Sequence, residues 1–186
     1  MTKAPDPVGA VLGLVALIES AGVEYAMSGA IALGYWAVPR ATLDLDIALN
    51  VEPAGVPALL SALAAGGCIL PPGALEAAGR GDFGARFRAV RIDFFLPVLP
   101  VSISALRRRV RVPFAESEIW VLSAEDLAIF KLLFGRTKDL ADLERLVAAQ
   151  RGRLDFSYIE REIAALFEDG DERLATYHKL KALALG

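Results

Sequence analysis

The chain has 186 residues, 55% of them hydrophobic and 23% charged, with a formal net charge of −3. So much apolar material excludes a largely disordered chain and supports one compact α/β unit, while the acidic balance speaks against the broad positive field of a DNA-coating protein. Cys68 stands alone, which excludes an intramolecular disulfide and a cysteine-built metal cage and fits a reducing cytoplasm.

Residues 8–21 read as a buried helix stopped by Gly22. Its apolar start resembles a signal-peptide core, yet Asp6 and two prolines flank it and Glu19 interrupts it well short of the ~20 residues a membrane span needs. A cytoplasmic protein without a membrane segment is therefore expected. A short strand follows over residues 23–27, then Ser28 and a helical stretch over 29–37 that ends before Pro39. Residues 43–51 alternate as a strand, and Pro53 opens a helix to about Ala65, closed by Gly66-Gly67.

Pro71-Pro72-Gly73 and Gly79-Arg80-Gly81 punctuate an irregular region. Beyond it, residues 83–96 read as one long strand or two paired ones, with Arg86 and Arg88 on one side. A short helix over 102–109 and edge strands over 110–114 and 118–122 come next. From Ser123 the pattern turns helical: Ser123 reads as an N-cap with Glu125 and Asp126 in the first turn, and apolar residues recur at helical spacing up to Gly135. Further helices are expected over 139–149, 156–167 and 171–184.

Three places in this framework carry chemistry. Ser28-Gly29 lies where a strand passes into a helix, so free backbone N–H groups and a small residue form a cradle for phosphate. Asp44 and Asp46 share one side of a strand, about 7 Å apart between Cα atoms, while Leu45, Ile47 and Leu49 face the other side. Asp93, between Ile92 and Phe94, can complete a carboxylate cluster. Three clustered carboxylates repel one another, so their convergence predicts bound Mg²⁺ or Mn²⁺. Each feature alone is ordinary: a Ser-Gly turn, a solvated Asp-x-Asp, an aspartate bonded to backbone. Their order within an apolar sheet is not.

Ser28-Gly29-Ala30 followed by Arg40-Ala41-Thr42-Leu43-Asp44-Leu45-Asp46, with Asp93 as third carboxylate, resembles the nucleotidyltransferase superfamily with a DNA polymerase β-like palm. A second block, 122–133 with Lys131, then Arg136, Lys138-Asp139 and Asp142, is similar to its AbiEii-type, toxin-associated branch. The resemblance implies an α/β (α+β) fold: a mixed-sheet nucleotidyltransferase palm core over residues 8–122 and a C-terminal helical extension over 123–186 packed on it. It further implies transfer of a nucleoside monophosphate from an NTP donor to an acceptor, with pyrophosphate released. Asp44, Asp46 and Asp93 would be metal ligands and catalytic residues, Ser28 and Gly29 would hold the terminal phosphates, and Asp93 would assist the nucleophile. Lys131 would neutralise developing phosphate charge, as would Arg136 and Lys138.

Other residues stay open in the sequence. Arg40 suits either a phosphate or a pairing aspartate, and Thr42 suits a strand start. Asp139 and Asp142 either orient Lys131 and Arg136 or form a solvated helix face, the latter preferred for Asp142. The basic run over 107–111 reads as a surface helix end or an RNA contact, and His178 as a packing residue. A single glycine beside Ser28 departs from the double-glycine or Gly-Ser turns of many relatives. The acceptor is open among RNA, protein and a small molecule. A sugar-nucleotide glycosyltransferase is remote, because too little chain precedes Asp44. The competing class is a non-catalytic partner in a toxin–antitoxin pair, against which three retained carboxylates weigh.

Overall fold

The computed structural model describes residues 6–42 and 44–185. Helix α1 (Pro7–Ser20) starts where Asp6 accepts a hydrogen bond from the Gly9 amide at 2.8 Å, and its chain turns at Gly22 into β1 (Glu24–Met27). Helix α2 (Gly29–Trp36) and β2 (Asp44–Asn50) follow; Leu43, expected to begin that strand, lies outside the described residues. A single 3₁₀ turn over Pro53–Gly55 leads into α3 (Val56–Ala65).

The stretch expected to be irregular contains two regular pieces, β3 (Cys68–Ile69) and α4 (Ala74–Gly79), so short that flanking Pro and Gly hide them in the sequence. The alternatives over residues 83–96 resolve as a hairpin of β4 (Asp82–Phe87) and β5 (Val90–Phe95). Arg88 sits in its turn with φ +55°, so it does not share the strand face of Arg86. Helix α5 (Pro100–Arg107) precedes a second hairpin, β6 (Val110–Phe114) and β7 (Ser117–Val121). Four helices complete the chain: α6 (Ala124–Phe134), α7 (Thr137–Gln150), α8 (Phe156–Leu166) and α9 (Glu172–Leu185).

The architecture is mixed α/β, with one seven-stranded sheet in the order β3-β4-β5-β2-β1-β7-β6. β2 pairs antiparallel with β1 and parallel with β5. β7 is interior rather than an edge, because it pairs parallel with β1 on one side and with β6 on the other. One sheet face is apolar throughout its centre, with Leu45, Ile47 and Leu49 beside Ile92 and Phe94, and Phe83 stacked on Phe94 at 4.9 Å. These side chains share a core with Leu14 and Ile18 of α1 and Leu59 and Leu63 of α3. No helix among the described residues is long and apolar enough to cross a membrane.

Polar anchors then fix the C-terminal helices. Ser123 caps α6 through the Asp126 amide at 3.1 Å, and Gly135 ends it with φ +61°. The buried Asp126 carboxylate accepts bonds from Ser123 Oγ and from Tyr158 Oη, both at 2.6 Å, which ties α6 to α8. Arg108 reaches the same carboxylate at 3.3 Å and stacks on the Tyr158 ring at 3.9 Å. Arg109 pairs with Glu24 at 2.6 Å and Arg111 with Glu118 at 3.0 Å. Three of the four arginines of the basic run thus pair with carboxylates of the same fold, while Arg107, Arg108 and Arg111 stay exposed.

Candidate functional site

Period-2 alternation lifts Asp44 and Asp46 off the apolar face of β2, and both are half-buried on the other face. The parallel partner β5 is in register, setting Asp93 beside Asp46 and Arg91 beside Asp44. All three expected carboxylates therefore share one sheet face. The Asp93 Oδ1 atom accepts bonds from Arg91 Nε at 3.3 Å and Nη2 at 3.1 Å. Sequence reasoning passed over Arg91, although the Arg-x-Asp spacing on one strand already puts the two side chains on the same side. Thr42 caps the start of β2: its hydroxyl donates to the Asp44 carbonyl at 3.0 Å and accepts from the Asp44 amide at 3.3 Å.

The bend preceding α2 is stitched to the same strand. The Ser28 amide donates to the Asp46 carbonyl at 2.8 Å, and Ser28 occupies the N-cap in an extended conformation without a side-chain capping bond. The first-turn amides of α2 and the Ser28 hydroxyl therefore offer donors to an anion. Gly29 has φ +51°, and a Cβ there would lie 1.8 Å from Asp46 Oδ2. Only glycine satisfies both the left-handed backbone and the close approach of that carboxylate. Gly29→Ala is expected to destabilise the fold by roughly 1–2 kcal/mol and, by displacing Asp46, to lower any transfer activity about 10²-fold; thermal melts and turnover measured on one preparation check both effects.

A buried charge network closes the other side. Lys131 Nζ on α6 donates to Asp139 Oδ1 at 3.0 Å and Asp142 Oδ2 at 2.9 Å, both on α7. Arg40 grips Asp142 with two bonds of 2.8 Å, and Arg136 donates to Asp139. The preferred surface placement of Asp142 is corrected: it is 1% exposed, and Asp139 is fully buried. They lie on the stripe of α7 that also carries the buried Leu143 and Leu146, because α7 packs against α6 and α2. Arg40 takes the aspartate partner of its two alternatives, and Lys131 is buried, not solvated at a helix face.

Three cations against two aspartates leave positive charge facing Asp46. Burial pushes the Asp46 carboxyl above the ordinary range; Lys131 opposes this, Asp93 adds to it, and Lys138 and Arg136 oppose it. For Asp139 and Asp142 burial acts in the same upward direction. There it is more than offset by hydrogen bonds from Arg136 and Lys131 to Asp139 and from Arg40 and Lys131 to Asp142, so both are held below that range.

Ser28, Gly29, Asp46, Lys131, Arg136 and Asp139 enclose a narrow niche. It adjoins a cleft of about 440 Å³ that shares Ser28, Phe95, Phe130, Phe134 and Arg136 and extends along Asp93 and Arg91. Phe95 and Phe134 meet there at 5.7 Å. In the sequence Phe130 and Phe134 show only as apolar residues at helical spacing, and i, i+4 spacing alone does not distinguish a core helix from a cleft wall.

Among the described residues no group of three or more His, Cys, Asp or Glu side chains is positioned to hold a metal ion. Asp44 and Asp46 supply the hard oxygen donors of which Mg²⁺ takes one or two, completing its shell with substrate phosphates and water, while Asp93 beside them is engaged by Arg91.

No protein-family model and no curated protein sequence matches the chain. Solved structures do match in fold. An antigenic nucleotidyltransferase-like protein from Paracoccidioides brasiliensis is 14% identical, with 91% of this chain and 92% of that chain covered and a TM-score of 0.51. ANT(2")-Ia in complex with adenylyl-2"-tobramycin is 15% identical, with coverages of 93% and 98% and a TM-score of 0.60. The lincosamide antibiotic adenylyltransferase LnuA, lincomycin-bound, is 12% identical, with coverages of 75% and 96% and a TM-score of 0.51. The chain shares the fold of nucleotidyltransferase-like proteins.

Proposed function

We propose that the protein transfers a nucleoside monophosphate from an NTP to a hydroxyl-bearing small molecule, releasing pyrophosphate. One observation carries this reading: the Asp46 carboxylate lies against the Gly29 bend, in register with Asp93, opposite the positive surplus of the Lys131 network. A phosphate chain laid along the α2 N-terminus would then meet donors at one end and carboxylates at the other.

Ser28 and the first amides of α2 would hold the β- and γ-phosphates, and Lys131 and Arg136 would face the charge that develops on the departing pyrophosphate. The two cations are already oriented by Asp139, so little reorganisation accompanies the reaction. Asp93, once free of Arg91, would take the acceptor hydroxyl proton. The acceptor oxygen then bonds to the α-phosphorus as the α–β bridging P–O bond breaks. Mg²⁺ or Mn²⁺ would be held by Asp44 and Asp46, with Asp93 beside them; when bound it neutralises phosphate charge and makes the hydroxyl more acidic.

A small-molecule acceptor is favoured by the size of the cleft and by two fold neighbours whose structures hold adenylyl-2"-tobramycin and lincomycin. The Lys131, Arg136, Asp139 and Asp142 block supports placement in the AbiEii-type branch. The experiment is incubation with each of four α-labelled NTPs, Mg²⁺ or Mn²⁺, and separate pools of metabolites, RNA and protein. Label in a small, acid-soluble product other than nucleotide is expected. Failure of every NTP to bind in the presence of metal overturns the proposal.

A further inference from the structure

Beyond Asp93 the site face of the sheet becomes basic. β4 runs antiparallel to β5 with Gly84 opposite Asp93 and Arg86 opposite Arg91, so both arginines stand side by side on the face that carries Asp93. Like charges directly opposed across a ladder are destabilising. Arg91 is relieved by Asp93 at 3.1 Å; among the described residues Arg86 has no carboxylate within ion-pair distance. The fold gains nothing from this pair, which makes it a candidate for binding an anion.

The space around it is shaped for an occupant. Gly84 leaves the strand bare beside Asp93: even a Cβ there would stay 3.7 Å from Asp93 Oδ1. The cleft of about 440 Å³ runs from Ser28 and Asp93 past Arg80 and Arg91 to an apolar wall that includes Leu96 and Val98. Its charged lining is Arg80, Arg91 and Arg136 against Asp82 and Asp93; with Arg136 given to the pyrophosphate the rest is balanced, and Arg86, across the ladder from Arg91 at the cleft's edge, supplies the surplus cation. A polycationic acceptor would have to bring its ammonium groups among guanidinium groups.

We propose that this cleft selects a small hydroxy acid as acceptor: a carboxylate held at the cleft's edge by Arg91, with Arg86 across the ladder from it, a neighbouring hydroxyl presented to Asp93, and an apolar body directed along the cleft toward Leu96 and Val98. This rests on the transfer reading above and adds the substrate class. It also couples selection to chemistry. When the acid's carboxylate engages Arg91, Asp93 gives up its own guanidinium partner and can accept the hydroxyl proton, while the hydroxyl oxygen bonds to the α-phosphorus and pyrophosphate departs.

The test uses three probes with one phenyl body and a hydroxyl beside the varied group: 3-phenyllactate, its amide, and 1-amino-3-phenylpropan-2-ol. Binding to the full chain is followed by saturation-transfer NMR and calorimetry at low salt, with Mg²⁺-ATP binding measured in parallel. The acid is expected to bind about tenfold more tightly than the amide, with the amine weaker still; Arg86→Gln and Arg91→Gln each weaken the acid about tenfold. Equal or tighter binding of the amine, or an acid affinity indifferent to both variants, overturns the inference. Binding of the acid without any binding of ATP leaves the anion site standing and sinks its role as an acceptor site. Tight, Arg86-dependent binding of a single-stranded RNA dodecamer with no binding of the acid assigns the surface to RNA instead.

Discussion

Asp46→Asn should lower nucleotidyl transfer on the order of 10³-fold or more while raising the melting temperature by about 2–4 °C. The two effects have one cause. Asp46 is enclosed between the Gly29 bend and Asp93, and its charge is opposed at a distance, by Lys131, Lys138 and Arg136 and also by Arg40 and Arg91. A carboxylate placed there suits a bound cation and phosphates; without them its ionised form is a liability to the fold. The pH sign follows from the raised pKa. Its contribution to stability is intact below the ordinary carboxylate range and is lost as pH rises through the higher folded value. The variant should therefore gain most near neutrality and nothing in acid. A variant destabilised at pH 7, or one that keeps wild-type transfer, contradicts this assignment.

Asp142→Ala should destabilise the protein by about 3–5 kcal/mol, read from denaturant midpoints. Its carboxylate is the single group that joins Arg40, in the loop before β2, to Lys131 on α6. Removing it strands a buried ammonium with Asp139 alone and leaves the Arg40 guanidinium with only its bond to the Ala41 carbonyl. Arg40→Gln should cost less, roughly 1–2 kcal/mol, because the Arg40 side chain is 29% exposed and its loss leaves Asp142 paired with Lys131. Here the pH sign is opposite to that of Asp46. Asp142 is held below the ordinary range, so its contribution is complete above about pH 4 and disappears as pH falls through the lower folded value. Asp142→Ala should correspondingly flatten the acid limb of the stability profile. An Asp142→Ala protein as stable as wild type would show that the network merely tolerates burial.

Local physics made much of this molecule legible in its sequence. The caps at Ser123 and Gly135, the turn at Gly22 and the alternation through Asp44 and Asp46 depend on residues within a few positions of one another, so chain order alone specifies them. The hairpin over residues 82–95 was ambiguous for the opposite reason. One long strand and two paired strands share the same alternation, and only a left-handed turn at Arg88 separates them. α4 escaped notice because six residues between glycines carry too little periodicity to outweigh the turn signals around them.

By itself, then, the sequence determined which residues bear charge toward one side of a strand, where helices begin and end, and that a Ser-Gly bend between a strand and a helix precedes two aspartates. Only the tertiary structure decided what those charges meet. Asp93 stands beside Asp46 because β5 pairs in register with β2 across an intervening half of the sheet connectivity. Arg40 holds Asp142 across 102 residues of chain, and Arg86 faces Arg91 because a hairpin closes between them. Periodicity fixes the side a residue faces; its neighbour across a ladder or helix interface depends on how separate elements bury their apolar faces together, which one-dimensional spacing does not encode.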